Sequence, residues 1–225
     1  MLNFSYRSLT SNSSRLFLKV IKKSGLYIFA LVAIHLFYQY LLTRLLGNFK
    51  NLPIYLSVYN ILIYPAIIIF ILHFIRCALE NKNPLDIHCL FQETKRCYLP
   101  IFMFHLTFNI LQFFLGNISG LLLFVVYLKF PFIESSIFFN KSSLWDSIKE
   151  NHNLTQDKML RYMFVLIVVF MFFYSALLKT RFGIQSGVFK YNGVYVMLLL
   201  VKTYLAVLYY GLTKSRTGAL LYQNS

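Results

Sequence analysis

The sequence predicts an all-α integral membrane protein, a single domain over residues 1–225 with a bundle of six transmembrane helices and two short cytosolic interfacial helices. Hydrophobic residues make up 58% of the chain, charged residues only 13%, and the mean hydropathy is +0.62. The hydrophobic fraction and the mean hydropathy exceed what a soluble domain with one core needs. Six long apolar runs and an uneven distribution of basic residues complete the prediction.

The six predicted spans follow from helix geometry. A helix rises 1.5 Å per residue, so roughly 20 apolar residues cross the ~30 Å hydrocarbon core. Runs of this kind lie at about 25–46, 53–75, 98–116, 118–139, 160–178 and 192–212. The first run is too long for a cleaved signal peptide and lacks a small-residue cleavage site, so we expect it to remain as an anchor.

Lys and Arg residues predict the orientation, because positively charged connections are retained in the cytosol. Fifteen of them lie in the two tails and in the segments after the second and fourth spans, against five in the other connections. Both termini are therefore expected to be cytosolic.

The formal net charge of +15 raises the question of partners. The basic residues stand beside apolar runs, where each contributes about 1 kcal/mol of attraction to anionic lipid. We therefore expect the lipid bilayer and its anionic cytosolic headgroups as partners, and no nucleic acid. Further membrane-protein partners stay open.

The segment after the fourth span predicts one interfacial helix. Ser143 is expected to cap its N-terminus, with Asp146 three residues on at the positive end of the helix dipole. One side of this helix is then formed by Leu144, Trp145, Ile148 and His152. Trp145, the only tryptophan in the chain, is expected at headgroup depth.

The segment after the second span predicts a second interfacial helix. Asn83 is expected to cap it, Pro84 suits the first helical position, and Asp86 again stands three residues after the cap. An apolar stripe with helical spacing follows at Ile87, Leu90, Phe91 and Thr94.

Three charged residues within the predicted spans are candidate site residues: Lys129, Glu134 and Lys202. A charge near mid-bilayer costs on the order of 2.5 to 3.5 kcal/mol, so each needs a reason. In one interpretation Glu134 pairs with Lys129 or Lys202 across a helix break at Pro131 and forms an ion or proton path. In the other, Glu134 lies at the interface and the lysines reach toward headgroups or freed carbonyls.

No catalytic, cofactor or metal site is predicted. The cysteines Cys77, Cys89 and Cys97 do not have zinc-finger spacing. Single histidines occur in the first three spans, at His35, His73 and His105, and are expected to be packing residues. Phosphate-binding and hydrolase motifs are also missing from the sequence.

Two stretches carry a resemblance to a known family. The first is "FPFIESSIFFNKSSLWDSIKENHNLT", in which the matching positions are Leu144, Trp145, Ser147, Ile148, Lys149, Leu154 and Thr155. The second is the last span, with Tyr204, Leu205, Leu208 and Tyr209. In these positions and in its order of spans the chain resembles the YciC-like family of uncharacterised bacterial inner-membrane proteins. Membership implies an inner-membrane location and a cytosolic N-terminus, and no known activity.

The functional expectation is a non-enzymatic inner-membrane protein that contributes to membrane or envelope organisation. The alternative is a small-solute, ion or proton transporter in which the three charged span residues form the pathway. A third hypothesis is a membrane-embedded enzyme that uses His88 or His152.

Overall fold

The computed structural model describes residues 6–46, 52–115, 130–154 and 199–213, and within these ranges every regular element is a helix. The helices are α1 (Tyr6–Leu46), α2 (Leu52–Glu80), α3 (Ile87–Leu115), α4 (Ile133–Phe139), α5 (Leu144–Leu154) and α6 (Leu199–Thr213). The all-α prediction is confirmed for these ranges.

Two of the described helices are long and apolar enough to cross a membrane. They contain the stretches Asn12–Tyr38, with a mean hydropathy of 1.6, and Ile61–Glu80, with a mean hydropathy of 2.2. The predicted span 98–116 lies almost wholly in α3, and the described part of the apolar helix α6, Leu199–Thr213, is shorter than a full span. The predicted spans 118–139 and 160–178 lie mostly or wholly outside the described residues. The six-span bundle therefore stays a prediction.

Helices α1 and α2 pack against each other in opposite directions. Ser24 Oγ donates a hydrogen bond to the carbonyl oxygen of Phe74 at 3.0 Å, and Lys19 Nζ donates one to that of Leu79 at 3.0 Å. α1 begins at Tyr6, well before the predicted span at residue 25. The polar stretch before residue 25 has no proline or glycine that would end the helix.

The turn between α2 and α3 corrects the prediction of a second interfacial helix. Asn83 is not a helix cap: its Oδ1 accepts the backbone N–H of Leu85 at 2.9 Å within a turn. Asp86 caps α3 instead, because its Oδ1 accepts the backbone N–H of Cys89 at 3.0 Å. α3 then runs without a break to Leu115. The predicted surface helix and the predicted third span are therefore one continuous helix.

Residues 130–132 are not helical, although they lie inside the predicted fourth span. Pro131 has no N–H to donate, and the N–H of Phe132 donates to Asn151 Oδ1 of α5 at 2.8 Å. The short helix α4 starts at Ile133 and is largely buried. The described part of the predicted fourth span, residues 130–139, is therefore not one continuous helix.

The predicted cap of the other interfacial helix, α5, is present. Ser143 Oγ accepts the backbone N–H of Asp146 at 3.2 Å and donates to Asp146 Oδ2 at 2.6 Å. The predicted apolar side is only partly right. Trp145 is 66% exposed, whereas the buried positions are Ser147, Asn151 and Leu154.

The core lies between the helices and is mainly aliphatic. Its fully buried side chains include Ile69, Ile75, Ile101, Phe138 and Leu208. The ring of Phe17 in α1 packs edge-on against that of Tyr204 in α6, with the centroids 5.6 Å apart. The first and last described helices therefore meet in the same bundle.

Candidate functional site

The candidate site is centred on the carboxylate of Glu134, in the first turn of α4. Only 12% of its side chain is exposed, and its Oε1 accepts a hydrogen bond from Lys202 Nζ of α6 at 2.5 Å. The same oxygen lies 2.8 Å from His105 Nε2 of α3. Three helices thus meet at this site: α4 supplies the buried oxygen, and α3 and α6 each bring one polar residue to it. A buried charge requires such compensation.

A fourth helix contributes an aromatic ring to the site. The ring centroid of Tyr64, in α2, lies 5.0 Å from Lys202 Nζ, within the range of a cation–π interaction. The same ring meets the ring of His105 edge-on, with the centroids 4.9 Å apart. Tyr64 therefore contacts both partners of Glu134.

A small cavity adjoins the carboxylate. Its volume is about 10 Å³, close to the minimum that one water needs. Its lining is formed by Ile68, Ile71, Leu72, Pro131, Glu134, Ser135 and Lys202. The polar side chains in this lining are those of Glu134, Ser135 and Lys202, so a single water in the cavity would lie beside the ion pair.

Glu134 and His105 are both titratable groups, and they share one contact. A proton taken up by Glu134 would remove the negative charge that attracts Lys202. Such a change would weaken the attraction between α4 and α6.

The structure brings together two of the three charged residues that the sequence singled out. Glu134 and Lys202, which are 68 positions apart, are in direct contact. Lys129 lies outside the described residues. The sequence did not assign His105 or Tyr64 to this site, because no local pattern links either residue to Glu134. Their contacts depend on how α2, α3 and α4 pack together.

A second polar cluster joins α4, α5 and α6 around Glu150. Its carboxylate accepts hydrogen bonds from Ser136 Oγ at 2.5 Å, Tyr209 Oη at 2.8 Å and Asn140 Nδ2 at 3.0 Å. Tyr209 Oη also accepts a hydrogen bond from Asn140 Nδ2 at 2.6 Å. These contacts fix the position of α4 and hence of Glu134. The sequence did not predict a site at Glu150.

A third cluster joins α2 and α3 near the turn between them. His73 Nδ1 lies 2.6 Å from Glu93 Oε2, and Arg76 Nη1 donates to Glu93 Oε1 at 2.5 Å. Burial by itself raises the pKa of Glu93, but the hydrogen bonds and charges of these two partners outweigh it and hold the pKa below its ordinary value. Burial and the nearby Glu93 raise the pKa of Cys89.

Metal-ligating atoms of His73, Cys89 and Glu93 all lie within 4.8 Å of one another, so these residues could hold a metal ion. This group was not predicted from the sequence, because the spacing of the cysteines alone does not match a zinc finger. Two pairs at i, i+4 spacing were the available signal: His73 with Cys77, and Cys89 with Glu93. Residues at this spacing lie on one face of a helix.

Comparison of the chain with protein-family models, with curated proteins and with solved structures gives no match. The resemblance to the YciC-like family therefore stays a prediction from the residues quoted above.

Proposed function

We propose that this chain is a multi-pass protein of the bacterial inner membrane that transports protons, alone or together with a small solute or ion. The observation that carries the proposal is the buried carboxylate of Glu134, which shares one oxygen between Lys202 and His105. Ionisable residues within a membrane are expensive, and they commonly mark pathways for protons and ions.

The surroundings of Glu134 support the same proposal. The carboxylate follows the non-helical residues 130–132 and borders the small cavity. Transporters typically build their binding sites where non-helical backbone lines a cavity.

The proposed mechanism is a protonation switch. A proton that reaches Glu134, directly or through His105, removes the attraction between α4 and α6. Lys202 then turns toward Tyr64, whose ring already lies beneath the ammonium. Loss of the proton restores the ion pair, so each cycle can open and close the contact between the two helices.

The test is proton flux in lipid vesicles that contain the purified protein and a trapped pH-sensitive dye. After an acid jump outside, with valinomycin and potassium to balance charge, the wild-type protein should acidify the interior faster than empty vesicles do. Glu134→Gln keeps the size and a hydrogen-bonding oxygen but cannot ionise, so its rate should fall to that of empty vesicles.

The matched control is Glu80→Gln. Glu80 is a partly exposed carboxylate that pairs with Arg76 and Lys82, away from the candidate site. This variant should transport at the wild-type rate. Wild-type flux equal to that of empty vesicles, with a monodisperse protein, would contradict the transport proposal.

One observation favours the second candidate function, membrane or envelope organisation without transport. Trp145 is 66% exposed at the start of α5, where an indole ring could insert among headgroups. Because it is the only tryptophan, its fluorescence reports on this helix alone. Quenching by lipids brominated near the headgroup, and not by lipids brominated near the chain ends, is expected if α5 lies in the interface.

A further inference from the structure

The cluster between α2 and α3 has the composition of a transition-metal site. His73 and Cys77 lie one turn apart on α2, and Cys89 and Glu93 lie one turn apart on α3. Imidazole, thiolate and carboxylate are the protein ligands of Zn²⁺. We propose that His73, Cys89 and Glu93 bind one zinc ion, with a fourth position left for water.

The distances are compatible with this site after small side-chain movements. Zinc–ligand bonds of about 2.0 to 2.3 Å in a tetrahedron place ligand atoms about 3.3 to 3.7 Å apart. The three ligand atoms now lie within 4.8 Å of one another, and His73 Nδ1 and Glu93 Oε2 are 2.6 Å apart. The ion would replace the hydrogen bond between these two atoms and draw Cys89 inward by about 1 Å.

Neighbouring residues already hold the ligands in position. Arg76 Nη1 binds Glu93 Oε1 at 2.5 Å, which leaves Oε2 directed at His73. Cys77 Sγ lies 3.5 Å from His73 Nε2, so it can accept the N–H of that nitrogen when Nδ1 binds the metal. Partners of this kind orient metal ligands and set the tautomer of a ligating histidine.

The charges of the bound site balance. The thiolate of Cys89 and the carboxylate of Glu93 together neutralise Zn²⁺. Arg76 contacts a second carboxylate besides Glu93, with its Nε 3.4 Å from Glu80 Oε1, and Glu80 also pairs with Lys82. Binding releases the thiol proton of Cys89 to water, and the proton of His73 moves from Nδ1 to Nε2. No oxidation or reduction takes place.

The site would join α2 to α3 close to their connecting turn. His73 and Glu93 are buried, whereas Cys89 is partly exposed. An ion can therefore enter from the side of Cys89. This end of the two helices is the one predicted to face the cytosol, so the ion would come from that compartment.

Metal binding is tested on the full-length protein, purified without a histidine tag and stripped with EDTA. Titration with Zn²⁺ against a chromophoric chelator should give one ion per chain. Titration with Co²⁺ should give visible absorption of a four-coordinate site together with a near-ultraviolet band from thiolate-to-cobalt charge transfer.

The decisive variant is Cys89→Ser, at a partly exposed position where folding is not at risk. Its zinc affinity should fall by more than about 100-fold, since even outer-shell partners contribute about 10- to 100-fold. The charge-transfer band should vanish. Cys97→Ser is the same chemical change on the same helix, at a buried cysteine outside the ligand set, and it should keep both the band and the affinity.

Cys77→Ser tests the orienting contact. The variant should still bind zinc, with an affinity lowered by about 10-fold.

The proposal is overturned if the wild-type protein binds less than one zinc ion per chain at micromolar concentration. It is equally overturned if Cys89→Ser retains the wild-type affinity or the charge-transfer band.

Discussion

The burial of the ion pair between Glu134 and Lys202 predicts how much each partner contributes to the free energy of unfolding. Removing one partner of a buried pair costs about 3 to 5 kcal/mol, because the remaining charge has lost its compensation. In Lys202→Met the carboxylate keeps His105 at 2.8 Å, and in Glu134→Gln the ammonium keeps the ring of Tyr64 at 5.0 Å. Each single variant should therefore lose about 3 kcal/mol, the lower end of the range.

The double variant, which carries both substitutions, should lose far less than the two single losses added together. It leaves no buried charge and forfeits mainly one hydrogen bond, about 1 kcal/mol. The coupling energy between Glu134 and Lys202 should then exceed about 3 kcal/mol. This value is well above the average coupling of about 0.6 kcal/mol that double-mutant cycles give for polar contacts between membrane helices.

The assay is equilibrium unfolding of the four proteins in mixed detergent micelles, followed by circular dichroism. A parallel cycle with Lys82→Met and Glu80→Gln is the control, since that pair has a similar separation, 2.7 Å, but its lysine is largely exposed. Its coupling should be close to zero because water screens the charges. Purely additive losses for Glu134 and Lys202 would refute the assignment of a buried, mutually dependent pair.

Three further predictions concern the other clusters. Tyr209→Phe removes a hydroxyl group that donates to Glu150 and keeps the ring, so unfolding should become easier by about 1.5 to 3 kcal/mol. Ser143→Ala removes the cap of α5 and should cost about 1 kcal/mol, measured as a lower unfolding midpoint, while Ser143→Thr should cost less. Zinc at 100 times its wild-type dissociation constant should stabilise the wild-type protein by about 2.7 kcal/mol and Cys89→Ser by less than about 0.4 kcal/mol.

Each of these predictions has a result that contradicts it. Tyr204→Phe, on the same helix as Tyr209, should leave stability nearly unchanged because its ring contact with Phe17 is kept. Equal losses in Tyr204→Phe and Tyr209→Phe would contradict the role of the hydroxyl. An unchanged unfolding midpoint in Ser143→Ala would contradict the role of Ser143 as a cap. Equal stabilisation of the wild-type and Cys89→Ser proteins by zinc would contradict the proposed metal site.

The helical class and the cap of α5 could be predicted from the sequence because both depend on local patterns. Long apolar runs indicate helices, and Ser143 with Asp146 three residues later indicates a helix start. Asn83 and Asp86 show the limit of this reasoning. Both residue types favour helix caps and turns, and the sequence alone did not distinguish which of them caps α3.

The candidate site could be predicted only in part. Lys202 and Glu134 stand out because charge is rare in apolar runs, but their pairing depends on the packing of α4 against α6. His105 and His73 look alike in sequence, as single histidines in apolar helices. Only the tertiary structure gives each of them a different glutamate, Glu134 and Glu93 respectively.

The rate of proton entry into vesicles that contain equal amounts of wild-type or Glu134→Gln protein tests the central proposal most directly. Transport through the buried carboxylate predicts a wild-type rate at least about 10-fold above that of the variant, since loss of an essential ionisable group typically costs 10²- to 10⁴-fold in proton transfer. Equal rates for the two proteins, with both folded and reconstituted to the same density, would contradict the proposal.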